Sequence, residues 1–283
     1  MAQVKIVTDS TAMLTPEEIV QYDIKVVPLS IMIDDDTYQD GVTISRVEFM
    51  DKMAVANNLP RTSQPSLGVF TEVYESILRE TPDAQIISIH LTKGLSGTAD
   101  AARQAAEMVA GDITTLDSDF IDRAEGFQAL AAAKLAAQGA TKEEVLAEIK
   151  RVHDHTELYL TVSNLKNLVA GGRISKAVGL VASMLNIRVG AHIQKGDINV
   201  EVKGRGAKST KNYLNSVIAQ MQAAPNGIEA IGISHAGIPE EAKALAAQVN
   251  EVFPDIEIAV QQTSPTVSTH TGPGAFGFSY VLK

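Results

Sequence analysis

The stretch VKIVTDST, residues 4–11, followed by TPEE, residues 15–18, decides the fold of this chain. Its first four residues are a largely apolar run typical of a buried strand, and polar residues end that run. Thr15 is then predicted to be a helix N-cap, with Pro16 at the first helical position and Glu18 completing a capping box. A strand that leads through a short polar loop into a capped helix is the repeating unit of α/β folds.

The same alternation of strand and helix continues through the first half of the chain. Helical patterns begin near Ser45, Ser66, Gly97, Gly126 and Thr141, and strands are predicted at Ile24–Ile33, Gln85–Leu91 and Ile113–Leu116. Such alternation predicts a mostly parallel sheet with helices on both faces, which is an N-terminal α/β/α domain over residues 1–156.

A second domain is predicted over residues 157–283, because a chain of 283 residues is long for a single core. Two apolar runs joined at residues 195–197 resemble a β-hairpin. The predicted strands are Glu157–Val162, Ile187–Ile193, Ile198–Val202, Ala230–Ser234, Ile256–Gln262 and Gly277–Leu282, and the predicted helices are Asn164–Val169, Ser175–Ser183, Ser209–Gln222 and Pro239–Val252. The fold class is therefore α/β with two closely packed domains, and the cleft between them is the expected ligand site.

Composition and motifs exclude several kinds of chemistry. The chain contains no cysteine, which rules out disulfides, thiolate catalysis and cysteine-bound zinc or iron–sulfur centres. No Walker A loop, kinase catalytic set, nucleophile elbow or metal-ligand spacing appears, so neither a metal nor another cofactor is expected.

No signal-peptide pattern and no apolar run long enough to span a bilayer are found. These features predict a cytoplasmic protein without stable membrane insertion.

The charge distribution limits the partners of the chain. A formal net charge of −10 argues against nucleic acid as a partner. One basic stretch departs from this average, namely KGRGAK at residues 203–208 together with Lys211. This stretch is interpreted either as a solvated hairpin loop or as a docking site for an acidic partner or a phosphate.

Four polar segments far apart in the chain share one chemical character. Each combines hydroxyls or a cation with glycine or proline, and the segments are TSQPS (62–66), SGT (96–98), AGGRIS (170–175) and THTGPG (269–274). Hydroxyls and free backbone N–H groups bind carboxylate or phosphate oxygens, and glycine allows the backbone to approach closely. Ligands of open α/β sheets lie beyond the carboxyl ends of the strands, where SGT follows a predicted strand. Together the segments predict a site for one anionic head group.

Each candidate residue in these segments also has an ordinary structural interpretation. Thr62 and Ser63 precede a proline, which holds a loop extended. Ser96 lies at the entry to a helix, which its hydroxyl could cap instead of facing a ligand. Arg173 follows two glycines that allow a sharp turn toward the cleft, and a surface arginine is the alternative. His270 lies in a predicted loop rich in Thr, Gly and Pro, where an ordinary turn is the alternative.

The whole chain resembles the DegV family of bacterial fatty-acid-binding proteins, some of which present the lipid to fatty acid kinase. The motifs that carry the resemblance run nearly from end to end and include VTDST (7–11), TSQPS (62–66), SGT (96–98), GGRIS (171–175), LNI (185–187), SHAG (234–237) and GPGA (272–275). One segment departs from the family pattern. Residues 122–127 read DRAEGF where the family usually carries small Ser and Gly residues, and this leaves the acyl-chain preference open.

The resemblance implies a fold, a ligand and a partner. The implied fold is an N-terminal α/β/α domain and a C-terminal mixed-sheet domain, with a long-chain fatty acid bound between them. Thr62 and Ser96 are implied to contact the carboxylate, and Arg173 and His270 to lie near the head group and assist a partner kinase. Further head-group residues are Ser63, Gly97, Thr98 and Gly272. The implied partner is an ATP-binding fatty acid kinase subunit, and the implied product is an acyl phosphate.

Three functions stay open from the sequence alone. The first is a lipid-carrier subunit that offers a fatty acid to the kinase and itself carries no nucleotide motif. The second is a self-sufficient phosphotransferase acting on a small polar substrate through His270, which the related dihydroxyacetone kinase fold allows. The third is a lipid-sensing protein without a catalytic cycle.

Overall fold

A computed structural model describes residues 3–174 and 187–283 of the chain. The predicted helix Ser175–Ser183 lies outside the described residues, as do Ser175 of the GGRIS motif and the first two residues of LNI. In the first half the elements are β1 (Val4–Asp9), α1 (Pro16–Gln21), β2 (Lys25–Val27), β3 (Ser30–Ile33), β4 (Asp36–Gln39), α2 (Arg46–Val55), β5 (Arg61–Ser63), α3 (Leu67–Glu80), β6 (Gln85–His90), α4 (Thr98–Met108), β7 (Asp112–Asp117), α5 (Arg123–Ala137) and α6 (Lys142–His155). In the second half they are β8 (Thr156–Val162), α7 (Lys166–Ala170), β9 (Arg188–Gln194), β10 (Asp197–Gly204), α8 (Ala207–Gln222), β11 (Ile228–His235), α9 (Pro239–Val252), β12 (Ile258–Gln262), α10 (Pro265–Thr271) and β13 (Phe276–Leu282).

The N-terminal half is built on a parallel sheet with the strand order β2-β1-β6-β7. Alternate residues of its strands face opposite sides, as the pleat requires. Ile6 packs on the side covered by α5 and α6, whereas its neighbour Val7 packs on the side covered by α3 and α4. The predicted N-terminal α/β/α arrangement is confirmed.

The C-terminal half is built on a six-stranded mixed sheet with the order β10-β9-β8-β13-β11-β12. The β11–β12 pair is parallel and the other pairs are antiparallel. Side chains of α8 and α9 cover one face. The hairpin turn is confirmed, since Lys195 and Gly196 both have positive φ values, 50° and 81°, typical of a two-residue hairpin loop.

Helix α5 joins the two halves, because it packs against β1 of the parallel sheet and against β13 of the mixed sheet. Its first eleven residues are buried, apart from Ala131. Because α5 is buried on nearly all sides, its Ala-rich sequence lacks the polar stripe of an amphipathic helix. The boundary between domains after residue 156 stays a prediction.

One predicted strand was wrong. Ile24–Ile33 was predicted as a single strand, but the structure divides it at Pro28, which lacks the N–H that a central strand position needs. The first part becomes β2 of the parallel sheet. The second part becomes β3 of a small antiparallel sheet with the order β4-β3-β5, where β5 carries Thr62 opposite Ile31.

Candidate functional site

A cavity lies where the small sheet, the mixed sheet and α10 meet, and we call it the acyl cavity after the ligand that the family resemblance implies. The space not filled by atoms is about 680 Å³, a volume that includes open solvent at the mouth of the cavity. Its apolar wall comes from both halves of the chain: Leu29, Leu91, Leu95 and Ile121 from the first, and Leu158, Leu160, Leu168, Ile193, Ile198 and Val267 from the second. A wall of branched aliphatic side chains is suited to an alkyl chain and offers little to a polar ligand.

The polar part of the lining includes Thr62, Ser96, Arg173 and His270, which come from four distant segments of the chain. The structure therefore brings these predicted residues together at one cavity. Thr62 lies on β5, Ser96 in the loop between β6 and α4, Arg173 in the loop after α7, and His270 on α10. Their roles toward a ligand stay predictions.

His270 forms a hydrogen bond with Thr62, and the distance between His270 Nε2 and Thr62 Oγ1 is 2.7 Å. Burial, together with the positive charge of Arg173, lowers the pKa of His270 to about 4, so the imidazole is neutral at pH 7. The predicted loop at His270 was wrong, because the residue lies on helix α10. Ser264 accepts from the backbone N–H of Val267 at the start of this helix, and Pro265 follows it. That Ser-Pro pair was the local indication that sequence analysis missed.

Arg173 is held by the backbone rather than by an acidic partner. Its Nε donates to the carbonyl oxygen of Leu95 at 3.2 Å, and its Nη1 donates to the carbonyl oxygen of Gly171. Burial lowers its pKa from the ordinary value, although arginine remains charged at neutral pH. Gly172 has a φ of 73°, the left-handed conformation that glycine favours, and this turn precedes Arg173.

Ser96 faces the cavity and does not cap a helix. Its hydroxyl lies 2.9 Å from that of Thr98, and α4 begins at Thr98 with no side-chain hydrogen bond at its N-terminus. The preceding part of the loop is packed against the β9–β10 hairpin. A Cβ at Gly94 would lie 2.3 Å from the carbonyl oxygen of Gly196, so only glycine allows this approach.

The other predicted head-group residues do not line the acyl cavity. Ser63 is exposed at the end of β5, and Thr98 is buried behind Ser96. Gly97 packs against the side chain of Gln64, and Gly272 packs against that of Asn167 at the end of α10. The contacts of Gly97 and Gly272 indicate that these two residues allow close packing of the surrounding backbone.

The segment 122–127 contributes one lining residue, Asp122, which sequence analysis did not assign to the site. Asp122 accepts hydrogen bonds from the hydroxyls of Ser234 and Thr263, the latter at 3.1 Å, and burial raises its pKa. Arg123 instead forms an ion pair with Glu18. These contacts join residues far apart in sequence, so no local pattern predicts them.

A second cavity, which we call the outer cavity, adjoins the acyl cavity and shares Thr62, Arg173 and His270 with it. Its remaining lining residues are Asn58, Leu59, Pro60, Arg61, Asn167, Ala170, Gly171 and Thr269. The three shared residues thus form a wall between an apolar cavity and a more open, polar one. Gly171 lines the outer cavity and packs against this wall, since a Cβ there would lie 2.3 Å from His270 Nδ1.

The described part of the chain offers neither a metal centre nor a membrane-spanning helix. Among residues 3–174 and 187–283, no group of three or more His, Cys, Asp or Glu side chains is placed to hold a metal ion. Within the same ranges, no helix combines the length and the apolar character needed to cross a membrane.

Comparisons with known proteins agree on one family. The sequence model of a family described as "Uncharacterised protein, DegV family" matches residues 3–283. DegV domain-containing protein YejH of Lactococcus lactis is 44% identical over 274 residues, covering 96% of this chain and 97% of that protein. The solved structure of DegV, a fatty acid binding protein from Bacillus subtilis, matches at a TM-score of 0.92 and 28% identity, covering 100% of both chains. A structure described as fatty acid binding of a DegV family protein from Thermus thermophilus matches at a TM-score of 0.88 and 28% identity, covering 99% of this chain and 100% of that one.

Proposed function

The chain belongs to the DegV family, and on that premise we propose that it binds a long-chain fatty acid between its two halves. The alkyl chain occupies the acyl cavity, and the carboxylate lies at the wall formed by Thr62, Ser96, Arg173 and His270. The observation that carries this proposal is the convergence of these four polar residues from distant segments at one cavity whose lining is mostly aliphatic. The two family members with solved structures, described as fatty acid binding, support the choice of ligand.

The polar wall suits a carboxylate in particular. The Thr62 and Ser96 hydroxyls are able to donate hydrogen bonds to its oxygens, and Arg173, which donates to backbone carbonyls rather than to an acidic side chain, supplies a positive charge. Thr62 has a single hydroxyl proton, which is available to the carboxylate when the neutral His270 carries its own proton on Nε2 and donates to Thr62 Oγ1. In that tautomer His270 orients the hydroxyl without adding a second charge. A hydrogen bond to a charged group is worth about 1.5–3 kcal/mol, so two such contacts fix the head group firmly.

The alkyl chain supplies the larger part of the affinity. Burying roughly fifteen methylenes at about 0.8 kcal/mol each offers about 12 kcal/mol before the costs of association are subtracted. This favours fatty acids of roughly 14 to 18 carbons, since shorter chains leave apolar wall uncovered.

We further propose that the chain is a carrier, which offers the carboxylate to a separate ATP-binding kinase for acyl phosphate formation in the cytoplasm. Within the sequence no nucleotide-binding motif appears, so the partner would supply ATP. Lys203, Arg205 and Lys208 are exposed at the junction of β10 and α8, where they are available to an acidic partner surface. Arg173 would stabilise the negative charge that develops as the phosphoryl group arrives.

The test is extraction of the purified protein under denaturing conditions, followed by mass spectrometry and by titration of the lipid-free protein with palmitate. We expect a co-purified fatty acid and tight binding of palmitate. No extracted fatty acid together with no binding of added palmitate would refute the proposal. Micromolar binding of ATP to the isolated protein by calorimetry would favour the self-sufficient phosphotransferase over the carrier.

A further inference from the structure

The outer cavity has an unusual charge for this protein. Of its described lining residues none is acidic, whereas Arg61 and Arg173 are both cations. The chain as a whole carries a formal net charge of −10, so two arginines without an acid in one cavity depart sharply from the average surface. Such a concentration of positive charge indicates an anionic occupant.

Neither arginine has its charge neutralised by a carboxylate in the part of the chain that the structure describes. Arg173 donates to two backbone carbonyls, and Arg61 forms no ion pair with residues 3–174 or 187–283. The hydrogen-bond partners of the nearby Asp34 are Asn57 and Asn58, and neither arginine is among them. Two guanidinium groups carry more positive charge than is needed to neutralise a single carboxylate. Their planar arrangement of N–H donors matches the oxygens of a phosphate group.

The topology places Arg61 on the outer side of the shared wall. Arg61 precedes Thr62 on β5, which is an edge strand of the small sheet. Thr62 lines both cavities, whereas its neighbour Arg61 lines the outer cavity and not the acyl cavity. A group attached to the carboxylate at the shared wall would therefore extend toward Arg61.

We propose that the outer cavity is a phosphoryl-binding subsite, in which Arg61 is a second cation beside Arg173. This inference rests on the proposed function, because the carboxylate at the shared wall determines where the phosphoryl group lies. Arg61 contacts the phosphoryl group and leaves the alkyl chain and the free carboxylate to the acyl cavity. The subsite thus distinguishes an acyl phosphate from a free fatty acid.

The experiment compares the affinities of palmitoyl phosphate and palmitate, each measured by displacement of a fluorescent fatty acid from lipid-free protein. In Arg61→Gln, loss of one charge-assisted contact should weaken palmitoyl phosphate binding by about tenfold and leave palmitate binding unchanged. Arg61→Lys keeps the charge but not the two-pronged geometry and should fall between Arg61→Gln and the wild type. Arg79→Gln is the matched control, since Arg79 is exposed on α3 and lines neither cavity, and both affinities should stay at wild-type values.

The outcomes separate this inference from the proposed function. Equal affinities of wild type and Arg61→Gln for palmitoyl phosphate, or equal loss for both ligands, would overturn the phosphoryl subsite. Wild-type protein that binds no palmitate would refute fatty acid binding instead. In that case titration with inorganic phosphate followed by phosphorus NMR still tests the subsite, and phosphate binding that is equal in wild type and Arg61→Gln would refute it.

Discussion

Removing the Thr62 hydroxyl should weaken carboxylate binding without changing the acyl cavity. In Thr62→Val the side chain keeps its shape and loses the oxygen that lies 2.7 Å from His270 Nε2. The fatty acid carboxylate loses one hydrogen bond worth about 1.5–3 kcal/mol, which weakens binding by about ten- to a hundredfold. The measurement is the dissociation constant of palmitate by calorimetry at pH 7.

The imidazole of His270 adds a second consequence. His270 Nδ1 is buried and has no hydrogen-bond partner among the described residues, so Thr62→Val leaves the ring without any. An unpaired buried polar group costs about 1–3 kcal/mol, and we expect a loss of stability in that range by urea unfolding. Thr62→Ser is the control, because it keeps the hydroxyl and should retain both affinity and stability.

Ser96→Ala extends the same reasoning to the other hydroxyl. It should weaken palmitate binding by a similar factor, since its oxygen lines the same polar wall. If each hydroxyl contacts the carboxylate independently, the two losses in binding free energy should add in the double variant. Wild-type affinity in both Thr62→Val and Ser96→Ala would refute the proposed head-group site.

Three further predictions concern the charges of the molecule. Arg173→Ala should retain much of its palmitate affinity and lose at least tenfold in the rate of acyl phosphate formation with the cognate kinase, measured by a coupled turnover assay. A turnover rate equal to that of wild type would refute the catalytic role of Arg173. Substitution of Lys203, Arg205 and Lys208 by Gln should raise the apparent KM of the kinase for the carrier. The difference in KM from wild type should shrink in high salt. His270 has a folded-state pKa of about 4, below the ordinary value of 6.5, so the unfolded chain binds the extra proton first. The unfolding free energy of wild type should therefore fall by about 3 kcal/mol relative to His270→Gln as the pH falls from 7 to 4. A pH-independent difference between the two proteins would contradict that assignment.

The alternation of strands and helices made much of the fold predictable. Capping residues such as Thr15 and Thr141 marked helix starts that the structure contains. The small sheet was missed because its strands have only three or four residues and lie in a segment whose apolar run is continuous across Pro28. A run of that kind indicates strand structure but not the sheet to which each part belongs.

The site was predictable in part, because residues at the carboxyl ends of strands and in glycine-rich turns are the ones that reach a cleft. The local sequence around Ser96 and Arg173 was sufficient to predict that both residues reach the cavity between the two halves. The local sequence does not single out Arg61. The role proposed for Arg61 depends on the cavity that it lines and on the absence of an acidic residue from the described lining of that cavity. Charge balance within a cavity is a property of tertiary structure, and local sequence patterns do not contain it.

The unusual segment 122–127 affects the junction of the two halves more than the ligand site. Arg123 extends toward the N-terminal half, where it pairs with Glu18 at 2.6 Å, and Gly232 provides the space that its side chain requires. Glu125 accepts hydrogen bonds from Thr8 and Thr11, and its pKa is raised well above the ordinary value, mainly by burial and also by the nearby charge of Asp9. Protonation therefore removes the cost of an uncompensated charge at this buried position. Because both side chains are engaged by the N-terminal half, small residues at these positions would change the packing of α5 at the junction of the two halves.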